Sequence, residues 1–310
     1  MMRLIVCVIS RAANLAAICL GIMSLYSLSP LHAQQLAGWS LAISNDSIGE
    51  ARDRWQSSSV QLGFLLSQVD ITQELIDFGE VIELRLRTDI LTPENLAMIV
   101  TTDRRYAGVI AIGAHSYVDW GLIEGRMGAD VVTVGAHTGL YEFQQTLHEI
   151  LGFTKPELKD FQIDDDVLLD FSGEISRNFQ AGSGNMRPFL EAQIGSEDFL
   201  RIGLDVNWGL DLGREAMRAT VTGHRVPSIY SNQTGLGFTL GGDIAWVDDS
   251  IYLPEKYGYE LNVPRLRVRT GIRHVNRFWD TFYGLTWLNK EFKAQREGQF
   301  VGTFQFKLRF

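Results

Sequence analysis

Cysteine is missing from most of this sequence. Both cysteines, Cys7 and Cys19, lie near the N-terminus, and none follows in the remaining chain of 310 residues. That excludes a disulfide framework for everything beyond them, and without thiolates and with only six histidines a structural zinc site is not expected. Lysine is equally scarce: none occurs between Gln34 and Gly152. The formal charge is −9, so basic surface for neutralising phosphate is lacking and nucleic-acid binding is excluded as a main function. After residue 33 there is also no apolar run of about 20 residues, the length a membrane-spanning helix requires.

The apolar run that does exist is N-terminal. Arg3 and Arg11 precede Ala12 to Leu25, and Ser-Pro-Leu-His-Ala follows, ending at Ala33. Charged, apolar and small-residue regions in that order predict a secretory signal, residues 1–33, rather than an anchor. The mature domain is then 34–310. Removing the signal takes away two basic and no acidic residues, moving the charge from −9 to −11.

What the mature sequence has in abundance is alternation. In Val81 to Asp89, Ile82, Leu84 and Leu86 alternate with Glu83, Arg85 and Arg87; in the last eleven residues Phe300, Phe304, Phe306, Leu308 and Phe310 alternate with Val301, Thr303, Gln305, Lys307 and Arg309. Phenylalanines along one face need a cover, and lipid supplies it where no second sheet does. Twelve such segments can be counted: Trp39–Ser44, Ser59–Leu66, Val81–Asp89, Gly108–Asp119, Gly128–Gly135, Val167–Phe179, Met186–Gly195, Phe199–Leu210, Gly235–Val247, Arg265–Phe278, Thr281–Phe292 and Gln299–Phe310. An even number of short alternating segments separated by turn residues predicts an all-β fold, a twelve-stranded antiparallel transmembrane β-barrel. Its location would be the bacterial outer membrane, and a soluble sandwich is the rival architecture. Arg265, Arg267, Arg269 and Arg273 share one face and are expected to pair with lumen carboxylates. Asp211 to Thr234 reads as a long loop.

One stretch breaks the pattern. In Gly135 to Phe153, Leu140, Phe143, Leu147, Ile150 and Leu151 recur at helical spacing, and Gln144 and His148, four residues apart, stand together at the edge of that face. The apolar face should pack on the Gly-rich wall or meet acyl chains. The first strand ends in Asn45-Asp46, its hairpin partner begins near Ser57 and Ser58, and the helix follows the fifth strand, so these residues are expected at one rim. A histidine base, a carboxylate able to hold a hard cation and amides that orient substrate oxygens would make a hydrolytic set, with oxygen ligands favouring calcium or magnesium over zinc.

Asn45-Asp46, Asp53-Arg54, Thr92-Pro93-Glu94, Asp103-Arg104-Arg105-Tyr106-Ala107-Gly108, Gly139 with Gln144 and His148, and Thr286 to Phe292 before a terminal Phe strand together resemble the lipid A deacylase family, the outer-membrane lipid A 3'-O-deacylases. The resemblance implies a twelve-stranded barrel that hydrolyses the 3'-linked acyloxyacyl ester of lipid A with Ca2+. It further implies His148 as general base, Asp46 as a calcium ligand, Asn45 and Gln144 as positioning groups, and Ser57 as the hydroxyl of the site. The substrate partner would be lipopolysaccharide among outer-membrane lipids. The chain departs from the family in having Gln56-Ser57-Ser58-Ser59 for Tyr-Thr-Asn-Gly, Arg105 for proline, and no active-site lysine, for which Arg104 or Arg105 could substitute. These departures leave open a catalytically inactive barrel with a structural or passive transport role.

Overall fold

The structure is a computed structural model, and it describes residues 35–69, 75–210, 217–219, 221–227 and 233–308. The expected signal, residues 1–33, and the terminal Phe310 lie outside the described residues.

The chain begins with β1 (Gln35–Asn45), a single helical turn α1 (Ser47–Glu50), β2 (Trp55–Ser67) and β3 (Ile76–Thr92). It continues with β4 (Ala107–Asp119), β5 (Glu124–Val134), helix α2 (Leu140–Leu151), β6 (Asp166–Ser176), the short β7 (Phe179–Ala181), β8 (Gly184–Ile194) and β9 (Glu197–Gly209). A small hairpin of β10 (Met217–Ala219) and β11 (Arg225–Pro227) precedes β12 (Gly235–Ser250), β13 (Arg265–Val275), β14 (Trp279–Leu288) and β15 (Gln299–Leu308). Each long strand runs antiparallel to its neighbours. β1 pairs with β15, and β6 closes the ring on β8 from Phe171↔Ile194 to Ser176↔Phe189. The wall therefore has twelve strands and no free edge, the arrangement that leaves no backbone polar group unpaired in a lipid environment. All twelve expected segments are wall strands. No described helix is long and apolar enough to cross a membrane.

Alternation sets which side chains see lipid. On β13, Leu266, Val268 and Ile272 are exposed on the outside, while Arg269 and Arg273 are buried inside. The arginines are matched by carboxylates, as anticipated. Arg269 donates to Asp205 Oδ1 from Nε at 2.9 Å and Nη2 at 2.6 Å and also bonds Asp243; Arg267 Nε donates to Asp243 at 2.9 Å; Arg273 donates to both oxygens of Asp280. Charge pairs replace the apolar core that a water-soluble protein would place here.

The segment read as a long loop is a different object. Its hairpin folds into the lumen, where Thr222 Oγ1 lies 2.6 Å from Thr303 Oγ1 and its carbonyl accepts from Thr286. Arg225 reaches Glu174, and His224 packs edge-on against Phe282 at 5.1 Å between ring centroids. The sequence hid this because the hairpin's strands have three residues each, too few to show a period. Two ends also differ from expectation: the sixth strand stops at Ser176, with β7 a separate short piece paired to β8, and β14 stops at Leu288, leaving Phe292 buried in a loop cluster with Leu253 and Tyr259.

Helix α2 spans the predicted residues but presents the opposite face to the wall. Tyr141, Gln144 and His148 are its buried residues, whereas Phe143, Leu147, Ile150 and Leu151 are exposed. Of the two expectations for its apolar face, packing on the wall is overturned, and that face is left exposed. Ile90, on the outward-facing phase of β3, is covered by Tyr106, Tyr141, Leu158 and Phe161, so the helix sits against the outside of the barrel at the rim. Gly108 permits the approach: a Cβ there would lie 2.5 Å from Thr138 Oγ1 and 3.0 Å from Leu140 Cβ.

Replacing Arg269 with Met should leave Asp205 and Asp243 short of a buried partner and cost about 3–5 kcal/mol. The midpoint temperature at which the heat-modified band appears on gels should fall accordingly; an unchanged midpoint would show that the lumen pairs do not carry the wall's stability.

Candidate active site at the outer rim

A cleft of about 1200 Å³ opens between α2, the start of β2 and the loop 93–106. Asn45, Asp53, Ser57, Ser58, Gln144 and His148 make its polar part, and Leu96, Met98, Val100, Phe143, Leu147 and Phe153 its apolar part. Ile90 and Ser58, a cross-strand pair on the outward phase, both line it, which puts the cleft on the lipid side of the wall.

The polar side is built by one irregularity. Gln56 pairs with Leu91 and Ser58 with Ile90, so Ser57 is an extra residue, a β-bulge, that no partner opposes. Without the bulge Ser57 would face the lumen. With it, Ser57 turns outward beside Ser58, and Gln56 turns inward. The preceding loop is strained: Ala51 and Trp55 adopt φ of 58° and 49°, a region costly for side chains with a Cβ and most of all for a bulky one. It is held by neighbours. Arg54 N donates to Asp46 Oδ2 at 2.5 Å, the Arg54 guanidinium binds Glu50 at 2.7 Å and Glu297 at 2.8 Å while stacking over Trp55, and the Trp55 indole donates to Asp103.

Gln144 Nε2 donates to Ser57 Oγ at 3.2 Å, Ser57 donates to Asp53 Oδ1, and Asp53 Oδ2 lies 3.1 Å from His148 Nε2. The other ring nitrogen, Nδ1, is 2.6 Å from the Thr154 carbonyl. A carbonyl only accepts, so Nδ1 carries a proton and Nε2 is the nitrogen available for proton transfer. The structure thus brings Gln144, Ser57 and His148 together. Of the residues expected at this rim, Ser57 is the direct partner of Gln144, and that of His148 is Asp53 rather than Asn45 or Asp46. Asn45 lines the same cleft, its Oδ1 committed to Ser47 N at 2.6 Å.

Asp46 stands behind the loop, fully buried, with Oδ2 taking Arg54 N–H and Oδ1 lacking a partner. Burial pushes its carboxyl up to about 8 against the Arg54 hydrogen bond, and the nearby Asp53 and Glu50 add to the rise. Its folded value is above its unfolded one, so the folded state loses stability as pH rises through about 8 and the carboxylate forms unpaired. A hard cation would relieve that cost. Among the described residues no three acidic, histidine or cysteine side chains converge, so Asp46 would hold such an ion without a carboxylate cluster around it. An orphaned carboxylate oxygen is what the structure offers a hard cation here.

The model of a family described as the outer membrane protein LpxR matches residues 15–310. The chain belongs to the LpxR family. It is accordingly a bacterial outer-membrane β-barrel. Among solved structures, LpxR from Salmonella typhimurium superposes with a TM-score of 0.70 at 17% identity, covering 88% of this chain and 100% of that one. The β domain of the Bordetella autotransporter BrkA follows at a TM-score of 0.45 and 8% identity, covering 88% and 100%, and adds nothing to the assignment. No curated protein matches the chain.

Within this LpxR-family barrel the arginines suggested as lysine substitutes are elsewhere. Arg104 is buried against Glu291 at 2.6 Å, and Arg105 stacks between Phe161 and Tyr257 while bonding the Gln162 carbonyl. Neither lines the cleft. Its cations are Arg52, paired with Glu297, and Arg296, paired with Glu94, both near the opening. Asp53 and the Thr154 carbonyl were missed as site groups because their roles depend on a bulge and a loop return; the available signal was Asp53 standing four residues before Ser57.

Replacing Arg54 with Met should release Glu50 and Glu297 and loosen the strained loop, so trypsin should cut after Arg52 at least several times faster than in the wild type. Equal cleavage rates would show that the loop is held without the guanidinium.

Proposed function

We propose that this LpxR-family barrel is a calcium-dependent ester hydrolase that removes the 3'-linked acyloxyacyl chain from lipid A in the outer leaflet. The observation that carries the reading is a histidine with one nitrogen sealed and the other turned to a cleft that opens on the lipid side of the rim. An ester that joins a polar sugar to acyl chains lies at that depth. Polar groups at Asn45, Ser57, Ser58 and Gln144 suit the sugar side, while Leu96, Met98, Val100, Phe143, Leu147 and Phe153 suit the chain.

His148 Nε2 takes a proton from water as the water oxygen bonds to the ester carbonyl carbon. Nδ1–H on the Thr154 carbonyl keeps the ring oriented throughout. When the bond from that carbon to the 3' oxygen breaks, Nε2 returns the proton to the departing alkoxide. The amides of Gln144 and Asn45 orient the reactants, Gln144 through Ser57 and Asn45 through the Nδ2 left free by its bond to Ser47. Asp46 would hold a calcium ion, whose chemistry would be that of a Lewis acid toward the carbonyl oxygen.

Ser58 and the missing lysine favour a second reading, an inactive structural barrel. Its transport form has less support, because a hairpin and paired charges occupy the described part of the lumen.

Mass spectrometry of lipid A from cells expressing the wild type should show loss of the 3' acyloxyacyl mass, with none lost in cells expressing His148→Ala or in purified reactions with the calcium chelated. Intact lipid A in the wild-type sample would leave the inactive barrel standing. Joint replacement of Phe143 and Leu147 by Ala should raise KM about 10-fold or more, since each buried methylene contributes about 0.8 kcal/mol; an unchanged KM would remove the acyl chain from that wall.

A further inference from the structure

We propose that Asp53 is a second catalytic group, which holds the attacking water jointly with His148, and that Ser57 and Gln144 act as its positioning residues. This rests on the hydrolase reading above. The Thr154 carbonyl fixes the proton on Nδ1, so the Nε2 that must accept a proton from water faces a carboxylate oxygen at 3.1 Å. Two acceptors facing each other need a hydrogen between them. A water molecule that enters as the two side chains part to about 4.4 Å, the span of its two hydrogen bonds, supplies two.

Such a water donates one O–H to His148 Nε2 and the other to Asp53 Oδ2, which leaves its lone pairs directed at the ester carbon. Its oxygen forms the new bond to carbon, and one proton passes to Nε2. The second stays on the oxygen and becomes the proton of the released fatty acid. The carbon–oxygen bond to the sugar breaks, and the Nε2 proton ends on the sugar oxygen. Asp53 keeps its charge throughout and offsets the positive ring formed in the first step.

Three features outside the contact itself point the same way. The backbone is strained on both sides of Asp53, at Ala51 and Trp55, and strain of this kind persists where the surroundings over-determine it. The bulge turns Ser57 outward, and its hydroxyl donates to Asp53 Oδ1 while accepting from the buried Gln144 amide at 3.2 Å, which leaves Oδ2 as the oxygen aimed at the ring. Arg54 next to it is consumed by Glu50 and Glu297, and among the described residues His148 is the sole ion-pair partner of Asp53. A carboxylate kept apart from the neighbouring guanidinium is suited to water rather than to a salt bridge.

The test uses the full chain in detergent with purified lipid A and calcium, comparing wild type, Asp53→Asn, Asp53→Glu and Ser57→Ala after heat-modifiable mobility has confirmed folding of each. Asp53→Asn should lower kcat about 100-fold with KM within about twofold. Asp53→Glu should recover part of the loss, and Ser57→Ala should lower kcat about 10-fold, with no further loss when combined with Asp53→Asn. A purely structural tie between loop and helix would instead raise KM or prevent folding in the Glu and Asn variants alike. Wild-type kcat in Asp53→Asn overturns the assignment and leaves the hydrolase standing, whereas a wild type that releases no acyl chain overturns both.

Discussion

An outward-facing side chain at the top of a barrel strand must be covered by lipid or by protein, and at Ile90 the cover is protein. Tyr106, Tyr141, Leu158 and Phe161 close over it. Tyr141 is the member that matters most, because its ring joins this cluster while its hydroxyl donates to the Pro156 carbonyl and accepts from Leu158 N. One residue thus ties helix, returning loop and wall together. Every distance in the site depends on that attachment: Gln144 and His148 lie one and two turns along the same helix, and the carbonyl that orients the ring comes from the loop that Tyr141 secures.

The attachment also reverses the usual sense of an amphipathic helix. Polar Gln144 and His148 are turned toward the protein, while Phe143, Leu147, Ile150 and Leu151 are turned away from it. In water this would be a liability. Beside a bilayer it is a continuation of the lipid-facing belt, and it brings apolar surface to within one helix width of His148 Nε2. Inside the barrel the same inversion holds, with arginine and carboxylate where a soluble core would have leucine.

How much of this was legible beforehand follows from the length of each signal. Strands of ten or more residues repeat their alternation often enough to be read, which is why the twelve wall segments, the even count and the lumen face of β13 were recoverable. Helix α2 was readable for the same reason, spanning more than three turns. Its facing was not, since periodicity identifies an apolar stripe without saying whether protein or lipid meets it. Gln144, Ser57 and His148 could be brought to one rim by counting passes. Asp53 could not be aimed at His148, because that needs the φ values of Ala51 and Trp55 and an unpaired Ser57. The plug hairpin escaped because its strands are three residues long.

The bulge at Ser57 bears on how such a site arises. Below Ser59 the inside and outside of β2 follow one phase; above Ser57 they follow the other, so Trp55 meets the cleft and Gln56 the lumen. A change of one residue in chain length at this point exchanges the two compartments for everything between it and the rim, and leaves the wall beneath untouched. Rim chemistry on a closed barrel can therefore be gained or lost by a single insertion or deletion, with no substitution of any reacting residue, and two sequences that differ only by that step would place the same side chains on opposite sides of the membrane wall.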